Sequence, residues 1–356
     1  MSALARYVAW PPREERRARR RFRLPLPSPL RLPRLAGPAW PAWRRHRAAF
    51  RTMLALALLA GIGAVREHHQ LVGAVHHYAD LCRAADGCDL GGGDVAAPTV
   101  THVAPYVLRY LPVAVGALVG APLFAQELES GTHRLAWTQS VGRREWAAVR
   151  LGLAAAVTTL AAVVVTVPAS WWWYSARRGH DGGPDRFAWR AVVWWNDWDF
   201  FAWTGPVGVA HLLLALTTGA ATGLLVRRTL PAVAAAAGLG EAALFGLEKL
   251  RPHLLTPHIR RTRSLDFPST PIDGWFQGFG YVRSDGTLTR RNPCSGPGLQ
   301  DFSGCLARHH IVGRYNSSFT MDQFLPLQLV ETGICLTATA ALAAFCLWHV
   351  RRVKTR

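Results

Sequence analysis

From residue 125 to residue 150 the chain reads Ala-Gln-Glu127-Leu-Glu129-Ser-Gly131-Thr132-His-Arg134-Leu-Ala-Trp137-Thr-Gln-Ser-Val141-Gly142-Arg143-Arg144-Glu-Trp-Ala-Ala-Val-Arg150. Glu127 and Glu129 stand at the end of an apolar run, where carboxylates accept ion pairs and hydrogen bonds. Gly131 permits a sharp bend, and Thr132 can cap a helix that follows. Leu135, Trp137 and Val141 can lie on a membrane or on a protein partner. The plainer alternative is that Glu127 and Glu129 are solvated interfacial charges and Arg134 only a topology signal.

Other reactive residue types form no interpretable constellation. His68, His69, His76 and His77, with Asp80 and Cys82, have no recognised ligand spacing, and no metal site is assigned. No Gly-x-Ser-x-Gly or His-Glu-x-x-His occurs, and neither lysine, Lys249 or Lys354, follows a glycine-rich phosphate loop. No catalytic residue is therefore named. Cys82, Cys88, Cys294 and Cys305 lie in polar stretches and allow three disulfide pairings, of which 82–88 with 294–305 is the one preferred. Cys335 and Cys346 lie in an apolar run.

The elements carrying these residues are apolar runs. Half of the 356 residues are hydrophobic, yet mean hydropathy is only +0.09, because long oily runs alternate with arginine-rich polar stretches. Six runs, at about 48–65, 104–125, 149–173, 201–226, 229–247 and 326–350, are each long enough to cross about 30 Å of hydrocarbon. The fold expected is an all-α integral membrane protein with about six transmembrane helices. Residues 1–47 form a basic, proline-rich tail unable to build a core, 126–148 a short polar loop, 248–325 a large loop between spans five and six, and 326–356 the last span with a basic tail. The first apolar run begins too far along the chain for a signal peptide.

The net charge is +19. Nucleic-acid binding is the usual inference from such a charge, but here the arginines flank apolar runs instead of forming one stripe among aromatics. With the amino terminus inside, the inner pieces 1–52, 126–150, 227–228 and 351–356 collect most of the basic residues. The outer loops 66–103 and 174–200 hold only Arg66, Arg83, Arg177, Arg178, Arg186 and Arg190. The positive-inside rule then puts both termini in the cytoplasm, and the four loop cysteines in the oxidising compartment. Tryptophans 171–173, 194, 195 and 198 flank the outer ends of spans three and four, as an interfacial belt does; simple packing is the alternative.

Ionisable residues at membrane depth need a partner or a task. Glu241 lies about 18 Å along span five and His211 about 24 Å along span four from their inner ends. These spans are joined by a tight turn, so the two side chains are expected to face each other or a polar pathway. Arg109 and Glu331, both just below the outer face, are expected to pair across spans two and six; separate snorkelling is the alternative.

The element Glu127-Leu-Glu129-Ser-Gly131-Thr132 after the second span resembles the acidic-x-acidic-x-Gly-Thr element of the membrane permeases of type-2 ATP-binding cassette exporters, in particular an actinobacterial-type branch. Trp43-Arg-Arg-His-Arg47 sits where that family places an amphipathic elbow helix before its first span. The ending Phe324-Leu-Pro-Leu-Gln328-Leu-Val-Glu331, followed by one long apolar span and a basic tail, is also similar. The resemblance covers about residues 40–356. It implies a multi-pass protein of a bacterial plasma membrane that is a transporter subunit and not itself an enzyme. It also implies a separate ATP-binding subunit carrying ATP and magnesium, a second permease half in a homo- or heterodimer, and no cofactor in this chain. By the same resemblance Glu127, Glu129, Gly131, Thr132 and Arg134 are the residues that meet the ATPase. Membrane lipid is the other partner, and nucleic acid is not one. A membrane-bound enzyme or sensor using 248–325, or a structural partner in a cell-envelope complex, are the rival readings.

Overall fold

The computed structural model describes residues 39–84, 103–132, 142–178, 198–266, 268, 274–294 and 301–352. Helix α1 (Ala39–Ala84) is followed by α2 (Val103–Val115), a single π-helical stretch (Gly116–Gly120) and α3 (Ala121–Ser130), which continue one another. Then come α4 (Arg143–Arg178), the short α5 (Trp198–Trp203), α6 (Pro206–Val226) and α7 (Thr229–Leu250). Four strands and a short helix follow: β1 (His258–Thr262), β2 (Trp275–Arg283), β3 (Leu288–Thr289), α8 (Phe302–Arg308) and β4 (Ile311–Phe319). The chain closes with α9 (Phe324–Arg352).

Six helical stretches are long and apolar enough to cross a membrane: Ala39–Gln70, Arg109–Ser130, Arg143–Tyr174, Pro206–Val226, Thr229–His253 and Met321–Arg352. Helix α6 is the hub, packing against α3, α4, α7 and α9, while α1 lies along α4. An all-round apolar helix belongs in the middle of a bundle. Helices α1, α7 and α9 instead present bare aliphatic and aromatic side chains outward, among them Leu59, Leu230, Phe245 and Leu329. Lipid is the solvent that covers such faces without penalty.

The approach of α6 to the second span is closer than side chains allow. A Cβ on Gly219 would stand 1.9 Å from the Gly116 carbonyl oxygen, and one on Gly223 would stand 2.1 Å from that of Ala121. On the other side, Gly116 and Gly120 face the Ala215 and Leu216 carbonyls. Two Gly-x3-Gly pairs thus meet backbone to backbone, the contact through which membrane helices gain dispersion energy when water offers no driving force.

The stretch between spans five and six is folded, so the all-α expectation is corrected to a mostly helical protein with a small sheet. The strand order is β1-β4-β2-β3, every pairing antiparallel. A bulge at Gln277 shifts the register of β2 against β4 between Phe276 and Gly278. Cys294 and Cys305 are disulfide-bonded and pack with Tyr281, Leu306 and Ile311 in a core of their own. Asp301 caps α8, and bonds from the Gly304 N–H and the Ser303 hydroxyl hold its carboxyl below the usual carboxylate range.

Two further expectations change. The elbow residues 43–47 are not a separate helix but the first turns of α1, which runs unbroken from Ala39. Trp173 is not part of an interfacial belt. It is buried in an aromatic cluster with its ring 5.0 Å from Phe200 and 5.2 Å from Phe324, whereas Trp171 is exposed and lies 4.2 Å from His68. Trp194, Trp195 and Cys88 lie outside the described residues, as do the side chains of Trp198, His76, His77, Asp80 and Cys82.

Candidate functional site

The acidic element sits where four helices converge. Glu127, on the last turns of α3, is buried with only 2 % of its surface exposed. Arg150, two turns into α4, grips it in a fork: Nε lies 3.0 Å from Oε1, and NH2 lies 2.7 Å from Oε1 and 2.8 Å from Oε2. The guanidinium is held from its other face by Trp146, whose ring centroid is 4.4 Å from Cζ, and Trp146 in turn packs on Phe124. Arg45, from the first turns of α1, approaches the same carboxylate at 3.7 Å. One carboxylate therefore ties α3 to α4 and α1. Its planar, bidentate geometry is one that arginine satisfies and lysine does not. The alternative of a merely solvated charge does not describe Glu127.

Glu129, two residues on and exposed, reaches the opposite neighbour. Its Oε2 accepts the Thr229 N–H at 2.8 Å and the Thr229 hydroxyl at 2.6 Å. Arg228 precedes α7 without a side-chain cap of its own. The first N–H groups of a helix have no partner within it, so Glu129 supplies from another helix the acceptor that α7 lacks. Gly131 then ends α3 in the left-handed region, with φ 70°, a conformation that costs a side-chain-bearing residue about 1–2 kcal/mol. The Thr132 and Ser130 hydroxyls are 3.0 Å apart. Arg134 falls in 133–141, outside the described residues.

A second polar cluster lies toward the sheet. Glu331 on α9 is wholly buried. Arg251, in the turn that follows α7, places Nε 2.8 Å from its Oε2 and NH2 3.0 Å from its Oε1, and His211 Nε2 on α6 lies 2.9 Å from Oε1. Phe201 covers the Arg251 guanidinium at 3.7 Å. One turn earlier on α9, Gln328 donates its amide to the carbonyls of Phe201 and Thr204. His211 thus meets Glu331 and not Glu241, which has no ion pair among the described residues. Arg109 meets Glu248 at 3.5 Å and not Glu331. The Arg109 pairing is corrected because Arg251, counted with the polar loop, turns back into the bundle and takes the Glu331 carboxylate, which His211 shares instead of meeting Glu241. A lone arginine followed directly by Pro252 at the end of an apolar run was the trace of it in the sequence.

Both clusters are clasps: buried or capping carboxylates that fasten helices together.

No curated protein and no solved structure matches the chain. A family model described as ABC-2 membrane transporter related matches residues 53–251, a stretch that holds Glu127, Arg150, Glu129 and Thr229 and stops at Arg251. Because that match spans more than half of the sequence, the chain belongs to the ABC-2 membrane transporter-related family.

Proposed function

We propose that the chain is the permease half of an ATP-driven exporter, working in the plasma membrane of a bacterium with both termini and residues 126–148 in the cytoplasm. A separate ATP-binding subunit, carrying ATP and magnesium, docks on 126–148, and a second permease half completes the pathway. The family supports the partner in general terms; the branch, the orientation and the direction of transport are part of the proposal.

One observation carries it. The acidic element is fastened to α4 and α1 through Glu127 and to α7 through Glu129, so a push on the residues that follow Gly131 reaches four helices at once. A motor subunit needs such a rigid lever, since packed helices shift as units between discrete arrangements. Gly131, Thr132 and Arg134 are then the surface the ATPase touches, and the two glutamates are the transmission behind it.

The test is co-purification of the native complex in mild detergent, followed by an ATPase assay. Glu129→Ala with Thr132→Ala should leave the permease in the membrane and uncouple or release the ATPase. An ATPase bound and stimulated as by the unaltered chain would count against the proposal. The disulfide-linked sheet supports the second reading, a membrane-bound enzyme or sensor acting through 248–325. Activity of the isolated chain on a lipid or peptide without ATP would favour it.

A further inference from the structure

A cavity of about 820 Å³ opens where α7 ends against the sheet. Its walls include Glu248 and Lys249 from the last turn of α7, His253 from the turn beyond, Trp275 and Gln277 from β2, and Arg290 just after β3. The carboxylates nearby are engaged. Glu248 faces Arg109 at 3.5 Å, and the buried Arg251 is neutralised by Glu331. Lys249 and Arg290 have no carboxylate partner among the described residues, and both are exposed. The cavity lining therefore carries two cations without a carboxylate partner among the described residues.

Gln277 adds a directional group. It is the extra residue of the β2 bulge, opposite no residue of β4, and bulges re-aim side chains out of the regular alternation of a strand. Phe276 and Phe279 on either side of it are exposed, while Gln277 and Trp275 are partly covered. The side-chain nitrogen of Gln277 is buried and meets no acceptor among the described residues. A buried donor without an acceptor is destabilising, and because Gln277 lines the cavity, a rotation of its amide would carry that donor to an acceptor placed there. Leu255 and Trp275 give the same cavity an apolar side next to the end of a membrane-length helix.

We propose that this cavity is an oxyanion site, taking a phosphate-type group that Lys249 and Arg290 neutralise and to which the Gln277 amide donates. A phosphate offers several acceptor oxygens and at least one negative charge, which matches two cations and a neutral donor. Such a group is the headgroup of an anionic amphiphile or a soluble phosphate ester. The site requires no ATPase and stands apart from the function proposed above.

The test uses the purified full chain in a neutral detergent, without the ATPase. Native mass spectrometry or thermophoresis is run with dioleoyl phosphatidylglycerol, with the zwitterionic dioleoyl phosphatidylcholine as control, and with glycerol 3-phosphate and inorganic phosphate as competitors. Phosphatidylglycerol should bind about tenfold more tightly than phosphatidylcholine. Lys249→Gln with Arg290→Gln should erase that difference, and Gln277→Leu should reduce it. Arg260→Gln with Arg261→Gln, which remove exposed charges of β1 outside the cavity, should leave it intact. Displacement by the soluble phosphates supports the site and identifies a free oxyanion as sufficient. Failure of those competitors beside a pocket-dependent lipid preference supports it and identifies the amphiphile. A preference unaffected by the cavity variants, an equal loss in the β1 variant, or no preference at all would overturn the proposal.

Discussion

The Arg150 guanidinium holds both carboxylate oxygens of Glu127 from a separate helix, at 2.7 and 2.8 Å through one nitrogen, with an aromatic ring behind it. Taking one member of such a buried pair away strands the other in a low-dielectric site, at a cost of about 3–5 kcal/mol. Glu127→Ala should therefore lower the thermal midpoint of the detergent-solubilised protein markedly and reduce its yield. Glu127→Leu combined with Arg150→Leu should recover part of the loss, because two apolar groups leave no orphaned charge. Size-exclusion chromatography after heating reads both. If Glu127→Ala and the unaltered chain melt alike, the clasp is not structural.

Glu129 is exposed, so its variant should separate stability from coupling. In Glu129→Ala, α7 loses an acceptor at its first N–H but keeps its packing, and the thermal midpoint should move little. Stimulation of the partner ATPase should fall nonetheless. Glu129→Gln keeps one acceptor oxygen and should retain part of the function. A stability loss as large as that of Glu127→Ala would make Glu129 a folding residue only.

For the second cluster, the discriminating comparison is between carboxylates on α7 and α9. Glu331→Gln leaves Arg251 buried without its counter-charge and should destabilise the protein strongly, by about 3–5 kcal/mol. Glu241→Gln, on a partly exposed face without an ion pair among the described residues, should leave the melting midpoint nearly unchanged. Equal midpoints for the two variants would refute the assignment of Arg251 and His211 to Glu331.

The glycine contact between α6 and the second span gives a steric test. Gly219→Leu puts a side chain where a Cβ alone would stand 1.9 Å from a carbonyl oxygen, so the helices must separate. Monodisperse protein should be lost. At Gly238, where a Cβ meets nothing within 4 Å, the same substitution should be tolerated.

The spans were legible in the sequence because a continuous apolar run of about 20 residues has few other uses. The acidic element was legible too, but its division of labour was not. Glu127 and Glu129 look alike in sequence, and only the position of Arg150 on α4 and of Thr229 at the start of α7 makes one a buried pair and the other a cap. Helix α1 runs on past the apolar run that ends at Val65, because Arg66, Glu67 and His68 continue the helix and His68 packs on Trp171 of α4. The sheet was missed because β2 breaks its own period: the bulge at Gln277 spoils the alternation that marks a half-buried strand. Arg251 was not legible because position along an apolar run gives depth only for the side chains within that run. A side chain that folds back from a following turn is invisible to that measure.

In the function proposed, a motor subunit acts from the cytoplasm on the residues that follow Glu127 and Glu129. Placing a cysteine at Thr132 and labelling it with a membrane-impermeant maleimide, in intact cells and in inverted membrane vesicles, tests it most directly. Labelling is expected in inverted vesicles alone, with protection when the ATP-binding subunit is present. Labelling in intact cells, or labelling indifferent to that subunit, would contradict it.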